Sequence, residues 1–598
     1  MRASIDMDGG DARRALVAGL YAAVITGSFY GFSVYSVSLK HQCGLSQTQV
    51  VNINTLPYLL GVCSTLVGVL TRPLGARCVI ILGCVIAAAG LTSQYAFATH
   101  CSSSPAFRRA APVVLVIFSC ITYLGNICAT GAAFPVPVQF WPGNRSQVTA
   151  TVKSFVGLGG AVVAQCFRIA FGAPSASATA LYCMLLWAGV CFGCGLMATL
   201  VMPPPKRTRA AATMTSHGAE PRRALTVCFV EIAILGLVAT AAPLAPDGPV
   251  HTGLVLGMLV LVLLPIPIVF LVGRRASAAR TAAADGVDAI AAACAAATDT
   301  AGATAAATDV CAGSGAIAVT PAGSSSRPLV PPAATPLLSQ HAACAPPAES
   351  SRQHTLCEMV RTADAWLLWL VGVIVIGSGG LLATNLAFII EAARAPAAVV
   401  TSAATTFATG NLLGRLLLPG CAEAVLVRRG HARPWLLPPV TLLAGLSQLA
   451  LLWAGSGALP AGGTGQHALL VGGAATGGVA FGAMWPMLVI LASELFGREH
   501  LVINYLFYDG ACGSVGTVLL ANVLPSLIYQ HAGRPTAAAA AATAPDLAII
   551  SDEAVAAATC LGPRCFALTH IVVAGLCAVA CCAATALALR SAPLYRRA

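Results

Sequence analysis

The sequence predicts an all-α integral membrane protein with two six-helix bundles and an extra helix pair, about 14 spans in total. Of the 598 residues, 57% are hydrophobic and only 9% are charged, whereas a soluble chain carries about 25% charged residues. A soluble protein of this length would need several charged domain surfaces, and this composition excludes them. Apolar runs of about 20 residues, the length that crosses a bilayer as a helix, recur along the chain.

Fourteen apolar runs fall into groups of six, two and six, according to the segments between them. The predicted spans are 15–37, 50–71, 78–99, 112–134, 152–173, 180–202, 224–243, 252–272, 366–391, 397–419, 434–454, 467–491, 501–529 and 566–589. Residues 273–361 are rich in Ala, Thr, Ser and Pro without a sustained apolar period, so we expect a disordered loop. The predicted domains are a first bundle (1–202), a basic linker with the extra pair (203–272), the loop (273–361) and a second bundle (362–598).

The distribution of positive charge predicts how the spans are oriented. With a cytosolic N-terminus, only six of the 33 Lys and Arg residues fall in outer segments. These six are Lys40, Arg108, Arg109, Arg394, Arg534 and Arg564. Because Lys and Arg concentrate in cytosolic loops, both termini and the 273–361 loop are predicted to be cytosolic. The distribution of Lys and Arg does not indicate whether the membrane is the plasma membrane or that of an organelle.

Two stretches far apart in the chain share a spacing of arginine and glycine. Each begins with an Arg and has a glycine twelve and fifteen residues later. The positions are Arg145, Gly157 and Gly160 at span 5, and Arg498, Gly510 and Gly513 at span 13. Equal spacing in two hydrophobic helices is typical of a duplicated membrane bundle. Since small residues let helices approach closely and slide, these glycines are predicted to serve helix packing and gating.

Several stretches carry a resemblance to a known family. Span 1 ends in the aromatic-rich residues 29–40, and span 5 carries a Gly-Leu-Gly-Gly run within 153–161; the second half contains 364–368, 493–497 and 560–566. In order and topology they resemble the nodulin-like branch of the major facilitator superfamily, which is related to the monocarboxylate transporters. The resemblance implies a major facilitator-type 6+6 bundle whose halves alternately expose a central cargo site.

The loop between spans 2 and 3 departs from the superfamily pattern. The resemblance implies a Gly, an acidic residue and then basic residues, but residues 68–77 keep the glycines and basic residues without an acid. The corresponding stretch of the second half contains Gly414, Arg415 and Glu423. Arg415 is therefore assigned to gating, whereas an acid–base latch in the first-half loop is not supported.

Charged residues within the spans are the first candidates for a solute or ion pathway, because such a charge usually faces a cavity or a partner. Arg168 lies about six residues past the middle of span 5, and a charge within a span costs about 2.5–3.5 kcal/mol on insertion scales; snorkelling to the outer interface is the alternative. Lys153, near the cytosolic end of span 5, is a pathway residue or a structural cation. Asp509 and Glu231 are acids in apolar surroundings, as proton carriers are, and Asp509 is preferred.

The resemblance implies further pathway residues. In the related monocarboxylate carriers a lysine at the outer end of span 1 captures anionic substrate, and Lys40 lies there; a solvated helix end is the alternative. Spans 1, 4, 9 and 12 correspond to cavity-lining helices of the superfamily, so their polar and aromatic residues are predicted to contact cargo. These are Tyr30, Tyr35, Asn126, Asn385 and Trp485. Each alone is more often a packing residue or an interhelical hydrogen bond.

The remaining expectations concern cysteines, cofactors and partners. Most of the 23 cysteines lie in apolar segments, where a thiol behaves as a small hydrophobic group. Cys560 and Cys565 lie in an outer loop and are predicted to pair if that side is oxidising. Because the sequence has no nucleotide-binding, metalloprotease or hydrolase motif, we expect no cofactor, no metal and no enzymatic activity. The expected partners are a small-molecule solute and the lipid bilayer, without nucleic acid, and a monomer is favoured.

The sequence and the resemblance together predict a secondary active transporter of a small polar or anionic organic solute, such as a monocarboxylate or amino acid. Coupling to protons is a further hypothesis. One alternative is a metal-ion or metal-chelate transporter of the same fold, although the spans offer no His, Cys and acid cluster. The other is a non-transporting receptor or scaffold that signals through the 273–361 loop, although that loop has no charge block or docking motif.

Overall fold

The computed structural model describes residues 9–27, 31–141, 145–171, 178–203, 222–241, 248–263, 353–396, 398–429, 432–497, 500–533 and 560–596. Within these ranges every regular element is a helix and no β-strand occurs, which confirms the all-α prediction. Most of the predicted loop at 273–361, and the predicted pathway residue Tyr30, lie outside the described residues.

Helices α1 to α9 make up the described part of the first half. They are α1 (Gly9–Thr26), α2 (Phe32–Cys43), α3 (Gln47–Thr55), α4 (Ser64–Leu74), α5 (Ala76–His100), α6 (Pro105–Ala133), α7 (Pro135–Phe140), α8 (Arg145–Phe171) and α9 (Tyr182–Val201). Predicted span 1 coincides with α1 and α2, with residues 28–30 between them outside the described residues. Predicted span 2 is divided into α3, a 3-10 segment (Leu56–Cys63) and α4. The second break has a local cause, because Pro57 at the start of the 3-10 segment has no N–H to donate.

The extra pair and the second half are also helical. They contain α10 (Arg222–Ala241), α11 (Pro249–Leu263), α12 (Leu356–Met359), α13 (Ala363–Ala392), α14 (Ala398–Arg429), α15 (Leu437–Gly455), α16 (Thr464–Phe496), α17 (Leu501–Gly516), α18 (Leu524–Gly533) and α19 (Ala567–Arg596). Predicted span 13 is divided, because a π-helical segment (Thr517–Val523) separates α17 from α18. Such π-helical turns are rare and often occur at functional positions.

Eight helical stretches in the described part of the chain are long and apolar enough to cross a membrane. Their outward faces and those of neighbouring helices carry large apolar side chains: Val113 is 64% exposed, Leu446 60% and Leu237 71%. In water such surfaces would favour aggregation, whereas lipid accommodates them. The chain is therefore a multi-pass membrane protein. Each of the fourteen predicted spans coincides with one or more helices wherever it is described.

The helices of each half pack mainly on one another. In the first half α5 packs against α6 and α9, and in the second half α16 packs against α14 and α15. The halves meet mainly at two crossings: α8 packs against α14, and the 3-10 segment Leu56–Cys63 packs against α17. They also meet where α2 packs against α13 and where α3 packs against the π-helical segment. Helix α10 contacts both α8 and α14. The extra pair therefore lies beside the first of the two crossings.

Two disulfides join cysteines in the described residues. Cys560 and Cys565, the pair considered in the sequence, are bonded, with 5.9 Å between their Cα atoms. Cys43 at the end of α2 is bonded to Cys101 at the end of α5, with 5.0 Å between the Cα atoms. Nothing in the positions of Cys43 and Cys101 along the chain predicts this second pair. Each disulfide joins two cysteines of the same half, the first half for Cys43–Cys101 and the second half for Cys560–Cys565. Neither bond therefore prevents the halves from moving relative to each other.

Candidate functional site

Side chains from both halves meet near the predicted cytosolic end of the bundle, in a cluster that we call the inner seam. Its members are Lys153 on α8, Arg415 on α14, Trp485 on α16, and Tyr505 and Asp509 on α17. The Lys153 ammonium donates a hydrogen bond to Asp509 Oδ1 at 3.0 Å, and the Tyr505 hydroxyl donates to the same oxygen. The Lys153 side chain is 7% exposed and that of Asp509 33%. The cation is therefore the more deeply buried partner.

Three aromatic rings surround the Lys153 ammonium. Its Nζ lies 4.5 Å from the ring centroid of Tyr505, 5.4 Å from that of Trp485 and 5.8 Å from that of Phe134. A cation over a ring face gains about 0.5–2 kcal/mol, more when it is desolvated. The ammonium is thus held by one carboxylate and by rings from both halves, because Phe134 belongs to the first half and the other two to the second.

Arg415 makes a second connection between the halves. Its Nε donates to Asn411 Oδ1 at 2.9 Å, one turn earlier on the same helix, and its Nη1 donates to the Lys153 carbonyl oxygen at 3.0 Å. The guanidinium also lies 5.7 Å from the Trp485 ring centroid, and the residue is 2% exposed. The inner seam therefore combines two buried cations with one carboxylate, an arrangement that attracts a further negative charge.

Replacing Arg415 with Lys is expected to weaken the inner seam although the charge is kept. A lysine ammonium is a compact point charge and cannot reproduce the planar fork that bonds Asn411 and the Lys153 carbonyl together. Hydrogen bonds to charged groups contribute about 1.5–3 kcal/mol each, so we expect a loss of roughly tenfold to a hundredfold in uptake. Uptake into proteoliposomes and thermal stability in detergent are the measurements. Arg361→Lys, at an exposed residue, is the control; equal effects of both variants would contradict the assignment.

Glycines bring the two halves close at both crossings. A Cβ at Gly157 would lie 2.9 Å from the Leu412 backbone nitrogen on α14, and a Cβ at Gly510 would lie 2.7 Å from the Gly61 carbonyl oxygen. These neighbours are backbone atoms, so they cannot move aside as a flexible side chain would. Gly513 differs, since the nearest atom to its Cβ is in the Trp485 ring at 3.7 Å, an ordinary contact. The positions of Gly157 and Gly510 therefore require glycine, and that of Gly513 does not.

A second cluster between the halves, the outer seam, lies toward the opposite end of the bundle. Its members are Asn52, Asn54 and Thr55 on α3, Thr384 on α13, and Asn522 in the π-helical segment. The Asn54 amide donates to Thr384 Oγ1 at 2.9 Å. The Asn522 amide donates to Asn52 Oδ1 and to Thr55 Oγ1, both at 2.7 Å. The outer seam is thus closed by neutral hydrogen bonds, whereas the inner seam contains charges.

Replacing Asn522 with Ala is expected to loosen the outer seam. Two hydrogen bonds between the halves are lost, each with a net contribution of about 1 kcal/mol, so the seam should open roughly tenfold to thirtyfold more often. The measurement is the rate at which a maleimide labels a cysteine introduced as Val51→Cys, a residue of α3 that is 1% exposed.

The control for this experiment is Ser526→Ala. Ser526 donates to Asn522 Oδ1 at 3.3 Å from the next turn of the same helical run, so its loss removes no bond between the halves. We expect its labelling rate to stay near that of the parent protein. An unchanged rate in Asn522→Ala would show that these bonds do not hold the seam closed.

Two predicted pathway residues lie near the outer seam. Lys40 is 4% exposed, and its Nζ lies 5.9 Å from the ring centroid of Phe388 on α13. This contact joins the end of α2 to the second half. Asn385, also on α13, donates from its amide to the Ala521 carbonyl oxygen at 2.8 Å, inside the π-helical segment. Both residues therefore connect elements around the outer seam rather than the inner one.

The other predicted residues are not brought into either seam by the contacts observed. Tyr35 is 6% exposed and packs its ring edge-on against Phe32 at 5.3 Å. Asn126 is 2% exposed, and its carbonyl oxygen accepts a hydrogen bond from Thr130 at 2.7 Å. The side chain of Arg168 lies outside the described residues, as does the surrounding of Gly160.

The family comparison covers the first part of the chain. The family model described as Nodulin-like matches residues 14–271, which confirms the resemblance predicted from the sequence. The match runs through the first six spans and on to the end of the extra pair. Residues 14–271, about two fifths of the chain, are therefore similar to that family. No curated protein gives a significant match to the chain.

Solved structures of low identity resemble the chain over most of its length. A point mutant of the nucleoside transporter NupG gives a TM-score of 0.49 at 9% identity, covering 96% of this chain and 99% of its own. A bacterial homolog of the human lysosomal transporter Spinster gives 0.48 at 12% identity, covering 96% of each chain. The xylose transporter XylE from E. coli gives 0.46 at 11% identity, covering 94% of this chain and 97% of its own.

Proposed function

We propose that this nodulin-like membrane protein is a secondary active transporter of a small polar or anionic organic solute. The observation that carries the proposal is the ion pair between Lys153 of the first half and Asp509 of the second, 3.0 Å apart within the bundle. Buried charges in membrane helices usually mark a substrate or ion pathway. Here the pair also spans the boundary across which two halves would have to move.

The two seams support alternating access. The inner seam closes the predicted cytosolic end through Lys153, Asp509 and Arg415, and the outer seam closes the opposite end through Asn54 and Asn522. A transporter of this kind opens one end while the other stays closed. Glycine crossings at Gly157 and Gly510 give the halves surfaces without protruding side chains, on which they can rock.

The chemistry of the inner seam favours an anionic solute. A buried ion pair gives little net stabilisation, because desolvation offsets most of the attraction. A solute carboxylate can therefore take the place of Asp509 on the Lys153 ammonium at small cost. Such an exchange would break the contact between the halves and let the cytosolic end open. Protonation of the Asp509 carboxylate would break the same contact, which is how a proton gradient would be coupled to the movement.

The test of this proposal is uptake by purified protein in proteoliposomes. The panel contains monocarboxylates, amino acids and neutral polar solutes, each measured with and without an inward-acid pH gradient. We expect uptake of at least one carboxylate above that of empty liposomes, and we expect the gradient to increase it. An absence of uptake across the whole panel, with protein shown to be folded and inserted, would contradict the proposal.

The metal alternative gains no support from the described residues, which contain no group of three or more His, Cys, Asp or Glu side chains close enough to hold an ion. The scaffold alternative depends on the 273–361 loop, of which only 353–361 is described. In that segment His354 is joined to the transport bundle: its backbone N–H donates to the Phe496 carbonyl oxygen at 2.8 Å, and its carbonyl oxygen accepts from Asn504 at 2.9 Å. The uptake assay on a variant without residues 273–346 separates the two functions.

A further inference from the structure

The cysteines in the described part of the chain are divided between the two ends of the bundle. The bonded pairs, Cys43 with Cys101 and Cys560 with Cys565, lie at one end. Contacts with α13 show that this is the same end for both. The backbone N–H of Gly562 donates to the Ala392 carbonyl oxygen at 2.8 Å, and Lys40, three residues before Cys43, lies 5.9 Å from the Phe388 ring. The grouping therefore follows from packing and does not depend on the charge rule.

The exposed free thiols have the opposite distribution. Cys78 lies in the first turn of α5, at the far end of the helix from Cys101. Cys357 precedes α13, and Cys421 lies in the last third of α14; both are exposed and free, and both are remote from the bonded end. The remaining exposed free cysteine, Cys582, lies midway along α19, on a surface that lipid covers.

We infer that the end of the bundle holding Cys43, Cys101, Cys560 and Cys565 faces an oxidising compartment, and that the end holding Cys78, Cys357 and Cys421 faces a reducing one. Disulfides form and persist outside the cell and in the lumen of the secretory pathway, whereas cytosolic thiols stay reduced. Each bond forms by exchange with a disulfide donor: the two protein thiols give up two electrons and two protons, and the donor disulfide becomes a dithiol. The membrane is accordingly one that separates an oxidising compartment, such as the cell exterior, a secretory lumen or the periplasm, from a reducing one.

This inference is independent of what the protein transports, and it assigns the sides of the membrane by redox chemistry. It also identifies Cys43–Cys101 as an oxidative modification that ties the outer end of α2 to that of α5. Because α2 has only 12 residues, the bond supplies a covalent anchor that adds to the hydrogen bond from the Gln42 amide to Ser102 Oγ at 3.2 Å.

The test uses the unaltered full-length protein in intact cells. Free thiols are blocked rapidly with a membrane-permeant maleimide, and the purified protein is digested and mapped without reduction by mass spectrometry. We expect one linked peptide pair holding Cys43 and Cys101, and blocked thiols at Cys78, Cys357 and Cys421. Recovery of Cys43 or Cys101 mainly as the blocked thiol would overturn the inference.

A second measurement assigns the sides. An impermeant maleimide is added to sealed right-side-out vesicles, before and after reduction with an impermeant phosphine. We expect Cys43 and Cys101 to be labelled at least tenfold more after reduction, and Cys357 to be labelled only in opened vesicles. Labelling of Cys357 in sealed vesicles would overturn the assignment. The variant Cys101→Ser, which leaves Cys43 without its partner, should be labelled at Cys43 without reduction, and its resistance would count against the bond.

Discussion

Replacing Asp509 with Asn is expected to reduce uptake by about a hundredfold and to open the cytosolic end of the bundle. The change leaves the Lys153 ammonium, 7% exposed, without the carboxylate that neutralises it, and with the Arg415 cation still close by. Removing one partner of a buried pair costs about 3–5 kcal/mol. Because the Asp509 side chain is 33% exposed, we expect the lower end of that range, which corresponds to roughly a hundredfold.

Replacing the other partner of the ion pair, Lys153→Gln, is expected to have a smaller effect on the equilibrium between the open and closed cytosolic end. It leaves Asp509, which is partly exposed and still accepts a hydrogen bond from Tyr505, so water and the hydroxyl can solvate the carboxylate. The double variant Lys153→Gln with Asp509→Asn should restore closure, since it removes both charges of the pair and leaves neither without its partner. Uptake should stay low because the cation proposed to bind the solute is gone.

A matched control is available in the second half. Asp364 forms an ion pair with Arg590 at 2.6 Å, but the Arg590 side chain is 53% exposed, and exposed pairs contribute about 0–1 kcal/mol. Asp364→Asn should therefore leave uptake within about threefold of the parent protein. If Asp364→Asn and Asp509→Asn reduced uptake equally, the inner seam would have no special role.

Replacing Gly157 with Val is expected to abolish uptake. The first added atom would lie 2.9 Å from the Leu412 nitrogen and 3.2 Å from the Asn411 carbonyl carbon, and the two methyl groups of a valine add bulk to this contact. Overpacking costs about 1–3 kcal/mol where side chains can adjust, and here the obstructing atoms belong to the backbone of α14. The crossing of α8 and α14 must therefore widen, which separates Lys153 from Asp509 as well.

Gly189→Val on α9 is the control for this experiment, because a Cβ at Gly189 would meet nothing within 4 Å. We expect it to be expressed, to be monodisperse by size-exclusion chromatography and to retain uptake. Gly157→Ala should show an intermediate loss, since it adds only the first of the obstructing atoms. Full uptake by Gly157→Val would contradict the close approach of the two helices.

Most individual residues of the inner seam could be predicted from the sequence, but the contacts between them could not. Lys153 and Asp509 were selected because a charge in an apolar span is conspicuous, and Arg415 and Trp485 because of what the family resemblance implies. Their pairing was not predicted. Lys153 and Asp509 are 356 residues apart, and which faces of two distant helices meet depends on packing that no local pattern encodes.

The outer seam was missed for a different reason. Asn52, Asn54 and Asn522 lie in apolar stretches where a single amide most often forms an ordinary interhelical bond, so nothing in the sequence separates them from Asn126. The breaks in predicted spans 2 and 13 were also missed, because hydropathy continues across each break. Of these, only the break at Pro57 has a residue that a sequence could have indicated.

The absence of an acid from the loop at 68–77 has a structural counterpart. Because residues 68–77 contain no acidic residue, the sequence predicts no acid–base latch in this loop that could hold the predicted cytosolic end closed. The structure instead places an acid–base contact one turn or more inside the helices, where Lys153 of α8 reaches Asp509 of α17. A contact at this depth is shielded from salt more than one in a loop would be, so closure should depend little on ionic strength.

The most direct measurement joins the halves covalently beside the inner seam. The ideal Cβ position at Gly61 lies 3.0 Å from Ser514 Oγ on α17, within the range that a disulfide can bridge. In the variant Gly61→Cys with Ser514→Cys, oxidation should abolish uptake and reduction should restore it, while each single variant should be insensitive to the oxidant. Unchanged uptake by protein shown to be fully cross-linked would contradict the account, because the halves would then not need to move relative to each other where the 3-10 segment crosses α17.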